Sequence, residues 1–507
     1  MKPFFPFASR RALRKIMALV IVVVLMVTLA ASAMAADSYT ISVKDGDTHS
    51  YKVFQVLSGT MGEDQTKLAS LAWGLDATDD AKAGSVDDFV ASLSGKSDAE
   101  LAALVTGKVT TTGDGRGTVS AGSTLSVAPG YYVLVDVTNP VADNDALSLN
   151  LVQIVADLQV TPKKGTTTSD KKVDDKNDSN DSEDAVDWKD SADYDIGDDV
   201  PFRLTATIAE DYANYTHGYK LTFHDEQSAG LSFKADTVEV FVDGNKITTG
   251  YEVVTTGLTA PETFQIKFAN LKDIAAVHAG SVITVTYAST LTGDAVVIGK
   301  PGNPNKSHVT YTNNPNDDQG GENGKTPDDK VVVFTYKLDV DKIDANGDPL
   351  TGAGFTLYKK NSSDEYEAVG SEVKGTDMTN FLWKGIDDGD YKIVETTTPD
   401  GYNTMSDIEF TVSATHSNGD EPELSTLTVN NDKLAAYVDA GTMTKVKTGS
   451  EPKVTESGEV TGEIINQSGT TLPSTGGIGT QLFYIGGGLL ALIAVVLLVT
   501  KRRMTAE

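Results

Sequence analysis

The sequence predicts an all-β chain of tandem β-sandwiches, and three observations lead there. Apolar and polar residues alternate in many short runs, such as "TVEVFVDG" (237–244), "SVITVTYAS" (281–289) and "KVVVFTYKLDVDKID" (330–344). A period of two places one face of each run on a core. Asp-Gly and Asn-Gly pairs punctuate these runs as turns, and short strands at such spacing argue for sandwiches. Polar stretches at 163–188 and 313–329 break the pattern as joints.

The 507 residues leave room for about three domains with cores of their own. The expected division is a signal peptide at 1–35, domains at 36–163, 168–326 and 330–472, and a terminal segment at 472–507. Lys2, Arg10, Arg11, Arg14 and Lys15 precede an apolar run from Ile16 to Leu29, and Ala33-Met34-Ala35 offers a small-x-small cleavage site. At the other end, Gln481 to Thr500 carries no charge and is followed by Lys501-Arg502-Arg503. Roughly 20 apolar residues suffice to cross a bilayer as a helix, and basic residues just beyond stay inside. A C-terminal transmembrane helix is therefore expected, with the ectodomain outside. Between the ends, "SVDDFVASLSGKSDAELAALVTG" (85–107) reads as a small helical insertion.

The formal net charge is −30, which disfavours nucleic acid as a partner. There is no cysteine, so an exported chain of this kind needs large cores or another cross-link. No metal site is expected: the six histidines are scattered and no His-Glu-x-x-His occurs. "DANGDP" (344–349) begins like a calcium loop, but Pro349 replaces the expected glycine, so a turn is expected instead. No phosphate cradle or nucleophile elbow is present, and no cofactor is expected.

Strand periodicity puts charged residues on apolar faces. Phe334, Tyr336, Leu338, Val340 and Lys342 share a face, as do Tyr391, Ile393 and Glu395, and Val460, Ile464 and Asn466. In the middle domain Leu221, Phe223 and Asp225 fall together, as do Val309, Tyr311 and Asn313. Burial lowers a lysine pKa and raises a carboxyl pKa, so both can stand neutral. A neutral amine is a nucleophile, and a protonated carboxyl can polarise an asparagine carbonyl while ammonia departs. The product is a Lys–Asn isopeptide bond; ordinary ion pairs or snorkelling side chains are the alternative.

"LPSTG" (472–476) ahead of an apolar span and "KRR", together with "YKIVETTTPDGY" (391–402), "YDIGDDVPFRLTATI" and "FHDEQSAGL", resembles the major backbone pilins of Gram-positive bacteria. The resemblance covers essentially the whole chain and implies immunoglobulin-like sandwiches of the Cna-B and Cna-A type. It implies that a sortase recognises Leu472, Pro473, Ser474, Thr475 and Gly476 and cleaves between Thr475 and Gly476. A lysine of another copy then resolves the acyl-enzyme. That lysine is expected in "TPKK" (161–164), as Lys163 with Lys164 second; Pro-Lys is kept from the family motif, while its Tyr and Asn positions are not. The resemblance further implies a bond from Lys342 to Asn466 promoted by Glu395, with Asn431 a rival to Asn466. In the middle domain it implies a bond from Lys172 to Asn313 assisted by Asp225, with Lys171 the alternative. In the first domain Asp136 takes the place of the acid, but no asparagine ends that domain and no bond is expected there.

The function implied is structural: a wall-anchored, secreted surface fimbria polymerised from copies of itself and supporting adhesion. Its partners would be a class C pilus sortase, a housekeeping sortase, minor pilins, peptidoglycan and a host surface ligand. It would be no enzyme beyond single-turnover autocatalysis. A monomeric wall-anchored adhesin is the nearest alternative, and a secreted hydrolase is a more distant one for which no acid pair is found.

Overall fold

The computed structural model describes residues 38–504 apart from 63–65, 97, 140, 144, 162–164, 177–185, 317–320, 322, 445–452 and 470–477. The expected signal peptide, Lys163, Lys164 and the motif Leu472 to Gly476 lie outside the described residues. The chain divides into two compact units. Among the described residues, one comprises 38–335 together with Ala414–Thr426; the other comprises Tyr336–Ser413 and 427–504.

The first unit holds two sandwiches. In the first, strand Tyr39–Val43 runs between Thr124–Val127 and Leu158–Val160. That sheet faces a second one built around Ser50–Met61 and Gly130–Asp136. Ile41, Tyr51, Val53, Tyr132 and Leu134 fill the space between the sheets. Phe54, Val56 and Leu57 point the other way, beneath Phe89 and Val105 from the inserted helices Val86–Ser92 and Asp98–Thr106. Being covered on both faces, this strand reads as the nearly continuous apolar run "YKVFQVL" rather than as an alternation. The insertion begins with side-chain caps: Thr78 and Ser85 accept from the amides of Ala81 and Asp88.

The middle sandwich pairs two sheets of opposite pattern. Thr168–Asp174, Asp199–Thr207, Val282–Leu291 and Leu231–Val242 form one sheet; Asp329–Phe334, Asn303–Tyr311, Leu221–Gln227 and Phe264–Phe268 form the other. Alternation is clean, so that Val282–Leu291 and Asn303–Tyr311 bury every second residue. The core they enclose includes Phe202, Leu204, Phe223, Val240, Phe264, Val285, Val309 and Val331.

In the second unit, Tyr336–Asp344 lies between Asn380–Ile386 and Glu459–Asn466, and the facing sheet is built on Gly354–Lys360 and Gly389–Thr397. The first and last strands of this domain run side by side and parallel, with Lys342 opposite Ile464 and Asp344 opposite Asn466. "DANGDP" forms a turn after the first strand, where the Asp344 carboxylate accepts from the amides of Asn346 and Asp348.

The C-terminal segment is helical, as expected. Gln481 to Thr500 does fall in one α-helix, Ile478–Met504, with Leu489, Leu492, Val495 and Leu498 exposed. Among the described residues, however, no helix is long and apolar enough to cross a membrane.

Gly462 shows how closely the last strand is held. A Cβ there would lie 2.2 Å from the carbonyl oxygen of Lys433. Gly462→Ala is expected to destabilise this domain by about 1–3 kcal/mol, measured as a lower denaturant midpoint at constant m-value. An unchanged midpoint would mean that the strand has room to shift.

Candidate functional site

Two clusters of amine, acid and amide are buried in the sandwiches, one in each of the last two. In the second unit, Lys342 is wholly buried and Asn466 and Glu395 nearly so. The alternation of Tyr336–Asp344 turns Lys342 inward with Leu338 and Val340, and the parallel register sets the last strand beside it. The Lys342 Nζ donates to the carbonyls of Ile464 (3.0 Å) and Ile343 (3.1 Å). Asn466 Nδ2 donates to Glu395 Oε1 at 2.7 Å, while Glu395 Oε2 accepts from the Met405 amide at 2.9 Å. Asn466 Oδ1 has no hydrogen-bond partner among the described residues. Burial lowers the Lys342 pKa to about 8, against a partial opposing pull from Glu395 and Asp344.

The rival Asn431 is used elsewhere. Its Nδ2 donates to the Glu409 carbonyl and its Oδ1 accepts from the Lys433 amide, as part of a turn. Asn466, not Asn431, meets Glu395.

In the middle sandwich the structure corrects two of the three expected residues. Lys172 points outward, half-buried, between Asp190 (2.5 Å) and Asp170 (3.0 Å). Its neighbour Lys171 points inward and is wholly buried. The register explains the choice: Lys171 stands opposite Leu204, an inward residue, and Lys172 opposite Arg203. Asn313 lies beyond the end of its strand, where its Nδ2 donates to the Asp145 carbonyl in the first sandwich. Asp225 stands opposite Ser307, far along the strand from Asn313. Six residues of extended chain separate Ser307 from Asn313, about 20 Å, so Asn313 and Asp225 cannot serve one amine.

The residue in reach is Asn305, which stands opposite Gln227 and is wholly buried. Tyr287 joins the group as a hub. Its hydroxyl accepts from Lys171 Nζ (3.0 Å) and Asn305 Nδ2 (2.9 Å) and donates to Asp225 Oδ2 (2.9 Å). Lys171 Nζ is also 2.5 Å from Asp225 Oδ2. Asn305 Oδ1 and Asp225 Oδ1 have no partner among the described residues. Burial drives the Lys171 pKa down and the Asp225 pKa up, so both groups are pushed toward their uncharged forms. Burial also carries the Tyr287 hydroxyl well above its ordinary value, keeping it a donor. Tyr287 and Asn305 were missed in the sequence, although alternation alone places them inward with Val285 and Val309.

Asp136 of the first sandwich is buried as expected for an acid, but His49 rather than a lysine lies against it, at 2.7 Å.

Residues 336–423 match the prealbumin-like fold domain (SpaA), and residues 464–504 match the LPXTG cell wall anchor motif. The trypsin-resistant surface T6 protein of Streptococcus pyogenes serotype M6 is 28% identical over 269 residues, covering 43% of this chain and 48% of that protein. The chain is similar to Gram-positive backbone pilins. It thus spans about half the length of the curated relative that it matches. Among solved structures, the T6 backbone pilin of serotype M6 Streptococcus pyogenes aligns over 85% of this chain and 98% of that one, at 15% identity and a TM-score of 0.49. The major pilin SpaD of Corynebacterium diphtheriae aligns over 85% and 98%, at 16% identity and a TM-score of 0.46. The anchor motif marks the chain as a sortase substrate carried on the cell wall.

A free Lys342 has a signature in pH. Its pKa in the fold is about 8, below the ordinary lysine value of 10.5, so between the two the unfolded chain binds more protons and stability rises with pH. Asn466→Ala, which leaves the amine intact, should therefore gain stability as pH rises from about 8 to about 10.5. A flat denaturant midpoint over that window would mean that the amine is not held in the core.

Proposed function

We propose that this chain is the repeating structural subunit of a covalently polymerised surface pilus, with its last two sandwiches each closed by an internal Lys–Asn bond. The observation that carries this reading is the burial, in each sandwich, of a lysine with a carboxyl group and an asparagine between two sheets. Such groups are costly to enclose unless they pair or react. Lys342 would join Asn466 with Glu395 as the acid, and Lys171 would join Asn305 with Asp225 and Tyr287.

The chemistry starts from the two amines, which burial drives toward the neutral form, and in the middle sandwich from Asp225, which burial drives toward the protonated form. The neutral amine attacks the asparagine Cγ, while the protonated carboxyl donates to Oδ1, the atom left without a partner, as negative charge develops there. The amine proton passes through the carboxyl to the departing nitrogen, and ammonia leaves. Each bond forms once, so the chain is a substrate of its own fold rather than an enzyme.

The assembly reading rests on the anchor motif and on Lys163. A pilus sortase would cleave between Thr475 and Gly476 and pass the Thr475 acyl group to Lys163 of another copy, with Lys164 as second choice. A housekeeping sortase would attach the base of the fibre to peptidoglycan, minor pilins would complete it, and the fibre would serve adhesion. Tension would then run through covalent bonds in place of the missing disulfides.

Lys163→Ala in a host expressing the pilus sortase should abolish the high-molecular-weight ladder and leave wall-linked monomer. A ladder that persists in the single variant but disappears in the Lys163/Lys164 double variant would move the linkage to Lys164. One that persists in both would contradict the assignment to this segment, and a single wall-linked species in the wild type would favour a monomeric adhesin. Separately, Glu395→Ala should lower the thermal midpoint of the last domain by roughly 10 °C or more while sparing the middle one, as expected for a change of several kcal/mol.

A further inference from the structure

The first sandwich has the buried acid but not the amine. Asp136 ends the strand Gly130–Asp136, and among the described residues this sandwich buries no lysine. His49, only 1% exposed, lies in its place with both ring nitrogens engaged. Nδ1 is 2.7 Å from Asp136 Oδ2, and Nε2 is 2.8 Å from Asp145 Oδ2. A carboxylate can only accept a hydrogen bond, so each of these contacts needs a proton of its own. A neutral ring between two carboxylates supplies one, and the second contact would then bring two lone pairs together.

The bridge reaches the segment that joins the two sandwiches of the first unit. Ala146, Leu147 and Ser148 are buried after Asp145. From here the Leu147 amide donates to the Asn313 carbonyl (2.8 Å), and Asn313 Nδ2 donates back to the Asp145 carbonyl (3.0 Å). The Lys325 amide donates to the Asp143 carbonyl (2.7 Å). Asp136 Oδ2 also accepts from the Ser148 amide at 3.2 Å. His49 therefore fastens from within the segment through which the first sandwich holds the middle one.

We propose that His49 is a proton-operated latch: the bridge is closed while it holds both protons, and loss of one releases Asp145 and loosens the contact with Asn313. The surrounding groups favour the closed form. Asp47, from the preceding turn, accepts from the His49 amide (3.0 Å) and from the Tyr51 hydroxyl (3.2 Å). The Tyr51 ring stacks on His49 at 6.3 Å. Asp136 and Asp145 face the ring from their own elements, and Tyr311 of the middle sandwich lies in the field of Asp145. Two carboxylates against the ring nitrogens, with Asp47 on the backbone amide, favour the doubly protonated ring, so the latch opens on the alkaline side.

The test is hydrogen exchange of the full ectodomain, read at residues 145–148 and 313–316 and corrected for the intrinsic effect of pH. In the wild type, protection there should fall by about tenfold between about pH 6 and about pH 9, while the cores of the last two domains stay unchanged. Asp145→Asn removes the need for the second proton, because its amide can donate to Nε2 while Nδ1–H serves Asp136. That variant should keep its protection throughout. Protection independent of pH in the wild type, or an equal loss in Asp145→Asn, would overturn the latch. His49→Ala should be open at every pH, and if it fails to fold, the comparison of the other two still decides.

Discussion

A primary amine enclosed between two β-sheets is the constraint to which the rest of this structure answers. Lysine is rarely buried without a partner, because its charge loses far more hydration than the interior returns. Here two lysines are buried completely, each with a carboxyl group and an asparagine within the same core. Burial shifts both amines, and in the middle domain Asp225 as well, toward neutrality, and neutral forms are the reactive ones. The same desolvation that would weaken an inert core would make this one chemically competent.

Topology determines where that chemistry acts. In the last domain the lysine is on the first strand and the asparagine on the final one, which lies parallel beside it. A bond there closes the domain from end to end, so a pull on its two ends loads the bond before the hydrogen-bond ladder. The middle domain repeats the logic with a different acid and with Tyr287 added. One phenol hydroxyl gathers lysine, aspartate and asparagine together, which makes the cluster a connected network rather than a pair. The first domain keeps only the acid and meets it with histidine. A chain without cysteine would thus join its parts in two ways, by reactive clusters and by a proton-dependent bridge.

Much of this was legible in the sequence, and the failures have physical causes. Alternation found the last-domain cluster because Lys342, Glu395 and Asn466 all lie inside regular strands, where a period of two holds. It identified Asp225 for the same reason. It failed at Lys171 and Lys172, since adjacent lysines point to opposite faces and only the pairing with Asp199–Thr207 decides between them. It failed at Asn313 because the alternation of Asn303–Tyr311 was carried past the end of the strand, where the side chain instead reaches the first sandwich. Asn305 obeyed the rule but was passed over for a residue nearer the domain end. The His49 bridge left no signal, since it joins residues some ninety positions apart in a turn, a strand end and a connecting segment.

The central claim is that these buried clusters react. The intact mass of the recombinant ectodomain, residues 36–472, tests it most directly. Each bond releases one ammonia, so two bonds predict a mass about 34 Da below the sequence value. A mass equal to that of the sequence would contradict both bonds, leaving two lysines buried beside acids as unreacted pairs.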